Sequence, residues 1–165
     1  MRELIQIGFI DRILKALNLN DDDVTTRLEP AGKEPLGKDE HGPERKEESW
    51  SYPSLVGMLL YLSGNSRPDT AFAENQAARF ILCPRLIHET AIKRIARYLK
   101  GTRDRGLGIN PKEQNLTLTL YSDADFVGLW NVEESDDPIC VRSRTGYVIA
   151  MGGVPLVWSS MLQSN

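Results

Sequence analysis

With 165 residues, 41% of them hydrophobic and 26% charged, the chain has the composition of a folded globular protein, large enough for one ordinary domain or pieces of two, which excludes a largely disordered chain. A formal net charge of -3 points to no polyanionic partner by itself, and no apolar run reaches the roughly 18 residues of a membrane helix. The N-terminus lacks a small-residue cleavage site, so the expectation is an intracellular, cytoplasmic chain with no membrane partner, and Cys83 and Cys140 are expected as buried free thiols.

In chain order, "LIQIGFIDRILKALNL" places Ile10, Ile13, Leu14 and Leu17 at helical intervals, so residues 1–19 read as a helix that stops near Leu19. Residues 20–49 hold three prolines, three glycines and little periodicity, and read as a long, exposed acidic connector whose contacts lie in a larger protein. Between Asn20 and Glu48 ten acidic residues face five basic ones, whereas between Arg85 and Arg105 seven basic residues face two acidic ones. Charge is therefore segregated along the chain.

Three helices follow: one from Tyr52 to about Asn65, one from about Asp69 to Ile81 opened by Pro68, and one from about Leu86 to Lys100 closed at Gly101. In the third, Ile92, Ile95, Ala96 and Leu99 form an apolar face, which leaves Lys93, Arg94, Arg97 and Lys100 outside as a basic stripe. Such a stripe suits a phosphate backbone by releasing condensed counterions; the competing reading is a solvated helix face.

After Pro111 the period changes from 3.6 to 2. Leu116, Leu118 and Leu120 fall on one side of a strand, expected to be the covered one, and Thr117, Thr119, Tyr121 and Asp123 on the other. Strands at about Arg144 to Met151 and Val154 to Ser159, joined through Gly152 and Gly153, complete an expected three-stranded antiparallel meander and an α+β fold.

"TLYSDADFVG" sets Asp123 and Asp125 one residue apart at the strand end, on one face with Cα atoms about 6.6 Å apart if the strand continues. Three readings compete: solvated strand-end carboxylates, a calcium loop using Asp123, Asp125, Gly128 and Glu134, and part of a two-Mg²⁺ nuclease site. The calcium pattern fails at Val127, which has no side-chain oxygen, and a two-metal site needs carboxylates from several elements.

Taken together, "YPSLVGMLLYLSGNSRPDTAFAENQAARF", "IKRIARYLKGT", "LYSDADFVG" and "SRTGYVIAMGGVPLVWSS" resemble the Pol polyprotein of copia-type LTR retrotransposons, where reverse transcriptase gives way to RNase H. The resemblance covers about Ile7 to Gln163 and implies that residues up to about Gly108 match the end of the reverse transcriptase region. Residues 111–165 would then match the first strands of an RNase H-like domain. By that comparison Asp123 is the first RNase H carboxylate and a Mg²⁺ ligand, Asp125 matches a recurrent position with no catalytic role assigned, and the basic helix lies near the template-primer duplex. The implied partners are an RNA–DNA hybrid or other nucleic acid, and the rest of the polyprotein or a second chain over the open sheet. The implied location is the cytoplasm, in a virus-like particle.

On the same comparison the polymerase aspartate pair lies upstream of Met1, and the next RNase H glutamate would follow Asn165. The resulting expectation is a polyprotein fragment that is catalytically silent alone, with a nucleic-acid-binding module or a calcium-binding loop protein as alternatives. Pro53, Thr70, Glu74 and Met161 depart from the family's usual residues, and a buried Glu74 on an otherwise apolar helix face would be costly.

Overall fold

The computed structural model describes residues 2–19, 26–45, 49–111, 117–125 and 138–163. Among them the elements run β1 (Arg2–Leu4), α1 (Ile7–Ala16), α2 (Tyr52–Asn65), a 3₁₀ turn (Pro68–Thr70), α3 (Ala71–Ala78), α4 (Leu86–Gly101), β2 (Leu107–Ile109), β3 (Leu118–Ala124), a 3₁₀ turn (Pro138–Val141), β4 (Arg144–Met151) and β5 (Val154–Leu162).

Helix α1 forms where the apolar spacing places it and buries Ile10, Ile13 and Leu14. It ends as Asn18 takes a left-handed φ of 53° and Leu19 N donates to Leu14 O at 2.9 Å, so the last carbonyls are satisfied by a helix-ending turn. Residues 2–4 are not helical: β1 pairs antiparallel with β2, Arg2 opposite Ile109 and Leu4 opposite Leu107. Gly106 enables this closure, because a Cβ there would run into the Leu4 carbonyl. The two ends of the helical unit are thereby tied together.

Helix α2 is capped by Ser51, whose hydroxyl accepts from Ser54 N, and Pro53 sits in the first turn where no intrahelical donor is needed. The expected second helix is shorter than its pattern, opening as a 3₁₀ turn and ending at Ala78. Thr70 explains the opening, since its hydroxyl donates to Arg67 O at 2.9 Å and tightens the turn. Leu55, Val56, Leu59 and Leu62 of α2 pack with Ala73 and Ala77 of α3, Ile92, Ile95, Ala96 and Leu99 of α4, and the buried face of α1. This is one apolar core.

The connector differs from the expected free segment. Leu36 N donates to Gln76 Oε1 at 2.8 Å, Arg79 Nη1 donates to Leu36 O at 3.1 Å, and Leu86 N donates to Pro43 O at 3.1 Å. Arg45 lies 4.0 Å above the Trp50 ring and 3.4 Å from Glu89. Its prolines and glycines therefore shape a strap docked along α3 and α4, held by backbone groups that no periodicity announces.

The strands β3, β4 and β5 form the expected meander, with Asp123 opposite Gly146 and Val148 opposite Trp158. Gly152 and Gly153 have φ of 57° and 81°, the left-handed pair that a tight two-residue hairpin turn demands. The covered face is the reverse of the expected one. Leu118 and Leu120 are 66% and 64% exposed, while the face carrying Arg144, Ala150 and Trp158 turns toward the helices. Trp158 Nε1 donates to Ser63 O at 2.8 Å and Arg144 stacks over Phe72, which anchors this mixed face to α2 and α3. Leu116 lies outside the described residues. Cys83 is exposed rather than buried, because it sits in the turn after α3, and the Cys140 side chain lies outside the described residues.

Candidate carboxylate site and nucleic-acid interface

Asp123 stands on β3 opposite Gly146, exposed, on the face that looks toward α3. It lines a cavity of about 220 Å³ with Phe72, Asp125, Arg144, Gly146 and Ser160. Asp125 follows the strand and closes its ladder. Asp125 N donates to Arg144 O at 3.0 Å, and Arg144 N donates to the Asp125 carboxylate, where an unbroken ladder would offer a backbone carbonyl. The side chain thus terminates the pairing, which accounts for an aspartate here without metal chemistry.

Arg144 is the third charge of this site and was missed by sequence reasoning. It is buried, its guanidinium lies 5.0 Å from the Phe72 ring centre, and neither terminal nitrogen has a hydrogen-bond partner among the described residues. Burial and the neighbouring Arg79 lower its pKa, and Asp125 acts in the opposite direction. The register places it: Arg144 lies two residues before Gly146, the partner of Asp123, and so faces the same side.

These residues do not fit a pair of Mg²⁺ ions. Two carboxylates line the cavity, one already accepts a backbone bond, and a guanidinium occupies the adjoining space. Among the described residues no group of three or more His, Cys, Asp or Glu could hold a metal. Gly128 and Glu134 of the calcium reading lie outside the described residues, and Asp123 itself is within a strand.

The basic residues of α4 are half-buried rather than outside. Lys93 pairs with Glu89 at 2.7 Å, Arg94 lines a hollow with connector residues 30–36, and Arg97 O accepts from Arg27 N at 3.3 Å. The physical reason is the docked connector, which passes over this side of the helix. The Nε atoms of Arg94 and Arg97 are buried without a partner among the described residues. At the helix start His88 accepts from Arg85 N through Nδ1 at 2.7 Å, so its other nitrogen carries the proton and donates to Gly37 O at 2.8 Å. A neutral His88, stacked 3.9 Å from Phe80, therefore pins the connector to α4.

Glu74 is the most perturbed acid of the helical unit. It is 1% exposed, and neither carboxyl oxygen has a hydrogen-bond partner among the described residues. The neighbouring Ser63 and Thr70 hydroxyls donate to Leu60 O and Arg67 O, so they cannot also serve a carboxylate with those protons. Burial pushes the Glu74 carboxyl up to about 8. Beside it, buried Arg67 is held by Asp69 at 2.8 Å and by Thr102 O at 3.0 Å, and Tyr98 donates to Asp69 at 2.6 Å. That network joins the turn before α3 to the end of α4.

Fold and site define an α+β protein in which a helical unit carries a basic helix and packs on one face of an antiparallel meander. The chain is 36% identical over 125 residues to the retrovirus-related Pol polyprotein from transposon RE2 of Arabidopsis thaliana, covering 76% of this chain and 8% of the relative. It is 34% identical over 166 residues to the retrovirus-related Pol polyprotein from transposon TNT 1-94 of Nicotiana tabacum, covering 97% of this chain and 12% of that one. A shorter relative, the secreted RxLR effector protein 161 of Plasmopara viticola, is 36% identical over 112 residues, 68% of this chain and 72% of its own length. The chain belongs to the copia-type retrotransposon Pol polyproteins. It spans about a tenth of the length of the Pol relatives. No family profile matches it, and no solved structure matches it. Among the described residues no helix is long and apolar enough to cross a membrane.

Proposed function

We propose that the chain is a nucleic-acid-contacting part of a copia-type Pol polyprotein, with residues up to about Gly108 from the end of the reverse transcriptase region and residues 111–165 from the start of an RNase H-like domain. The observation that carries this reading is the similarity to Pol polyproteins over 76% to 97% of the chain. The β1–β2 pair supports the boundary, since it closes the helical unit at Ile109. Lys93, Arg94, Arg97 and Lys100, which keep part of their surface beside the docked connector, contact an RNA–DNA hybrid through its phosphates, and Asp123 is the inherited RNase H carboxylate. Mg²⁺ is the cofactor of the parent activity. The 165 residues by themselves bind rather than cut, because Asp123 and a ladder-closing Asp125 beside Arg144 cannot align two metal ions on a phosphodiester. The rest of the polyprotein covers the apolar face of Leu118, Leu120, Val157 and Met161, and the chain works inside the cell.

The test is hybrid affinity as a function of salt. Wild type should lose affinity steeply as salt rises, and replacing Lys93, Arg97 and Lys100 by Gln should flatten the log–log slope by about 0.9 for each phosphate that is no longer neutralised. An unchanged slope overturns the α4 interface.

A further inference from the structure

A cleft of about 640 Å³ opens on the opposite end of the helical unit from β1 and β2, where the connector, the end of α3 and the 3₁₀ turn before β4 meet. Its volume lies within the range of small-molecule sites. Four cationic side chains line it, each from a different segment: Lys38 from the connector, Arg79 from the end of α3, Arg85 from the start of α4, and Arg142 from the turn before β4. Glu40, 3.9 Å from Lys38, lines it together with His41 and Cys83, and Glu44 lies 3.5 Å from Arg85. Phe80, Ile139 and Leu162 supply apolar wall.

Gathering four cations on one cleft costs free energy that Glu40, beside Lys38, and Glu44, beside Arg85, offset only in part. Among the described residues Arg142 Nε is buried without a hydrogen-bond partner, and so are the terminal nitrogens of Arg144, the neighbour that Arg79 repels. Arg79 and Arg85 are already oriented by the connector, through Leu36 O at 3.1 Å and Glu40 O at 3.3 Å. Guanidinium forks fixed in this way, next to Arg142, match the oxygens of a phosphate group. The apolar wall selects a phosphate that carries a flat organic part.

We infer that this cleft is a phosphate site for a nucleotide, free or as one unit of a single strand, with Arg142 as its principal donor and Arg79, Arg85 and Lys38 as flanking cations. The site is separate from the α4 surface and does not depend on it. Bound phosphate would lie against Arg142 and relieve the repulsion between Arg79 and Arg144, so ligand binding would also stabilise the seam between the helical unit and the sheet.

The experiment titrates the full 165-residue chain with a nucleoside monophosphate and, separately, with a short single-stranded oligonucleotide. Calorimetry gives affinity, and the side-chain Nε–H signals of ¹⁵N-labelled arginine give the contact. Saturable binding of either probe with a shift of the Arg142 Nε–H signal is expected, and comparing the two arms tells a free nucleotide from a strand. Arg142→Gln should weaken binding about tenfold or more, the reduction that goes with one charged hydrogen bond, while Arg142→Lys retains part of the affinity. Replacing Lys93, Arg97 and Lys100 together should leave this affinity unchanged. Because Cys83 lies on the cleft rim, ligand should also slow its alkylation in wild type, a readout that needs no variant. Failure of both probes to saturate, or equal affinity in Arg142→Gln, overturns the inference.

Discussion

Glu74 gives the sharpest test of how the helical unit is held together. Its carboxyl is 1% exposed with no partner for either oxygen among the described residues, and burial moves it from 4.5 up to about 8. In the unfolded chain Glu74 ionises near 4.5, so between that pH and about 8 the folded state binds the extra proton. Stability must therefore fall as pH rises through this window and level off above about 8. At about 1.4 kcal/mol per pH unit the fall attributable to Glu74 is on the order of 5 kcal/mol, a large share of a domain's total stability. Replacing it by Val removes the titration and fits the alanine-rich environment of α3. Urea unfolding of wild type and Glu74→Val, followed from about pH 4 to about pH 9 under reducing conditions, measures the difference directly. The variant should match or trail wild type at the acid end and exceed it increasingly toward the alkaline end. A stability difference that stays constant with pH would refute the reasoning.

Other outcomes follow from the same structure. Leu118→Lys with Leu120→Lys should leave unfolding stability within about 0.5 kcal/mol, since both side chains are about two-thirds exposed, and should reduce self-association of the isolated chain in sedimentation. Asp69→Asn should cost about 1 to 3 kcal/mol in thermal unfolding, because Arg67 loses its ionised partner while the open side of Asp69 lets water compensate in part. A thiol reagent should modify Cys83 rapidly in the native protein, and Cys83→Ser should remove that fast phase.

Where a single physical rule governs an element, the sequence announces it. The α1, α2 and α4 helices lie where the 3.6 period places their apolar faces, and the hairpin forms where Gly152 and Gly153 supply two positive φ angles. What escaped reading is set by partners distant in sequence. The connector docks through the Leu36, Gly37 and Pro43 backbone, which carries no side-chain signature. The sheet's orientation was inverted because alternation tells which residues share a face and not which face meets the helices; Trp158 and Arg144 decide that. At the carboxylate site the positions of Asp123 and Asp125 were legible, but the ladder-closing bond of Asp125 and the intrusion of Arg144 need register between strands distant in sequence. Helix α4 showed its charges plainly, yet its exposure depended on where the connector ran.

The claim that this chain contacts an RNA–DNA hybrid without hydrolysing it is tested most directly by incubating the folded protein with a labelled hybrid in Mg²⁺ or Mn²⁺, beside Asp123→Asn. Retardation of the hybrid with no cleavage in either protein is the expected result. Cleavage by wild type that Asp123→Asn abolishes would show that Asp123 works in a complete metal site, contradicting the account.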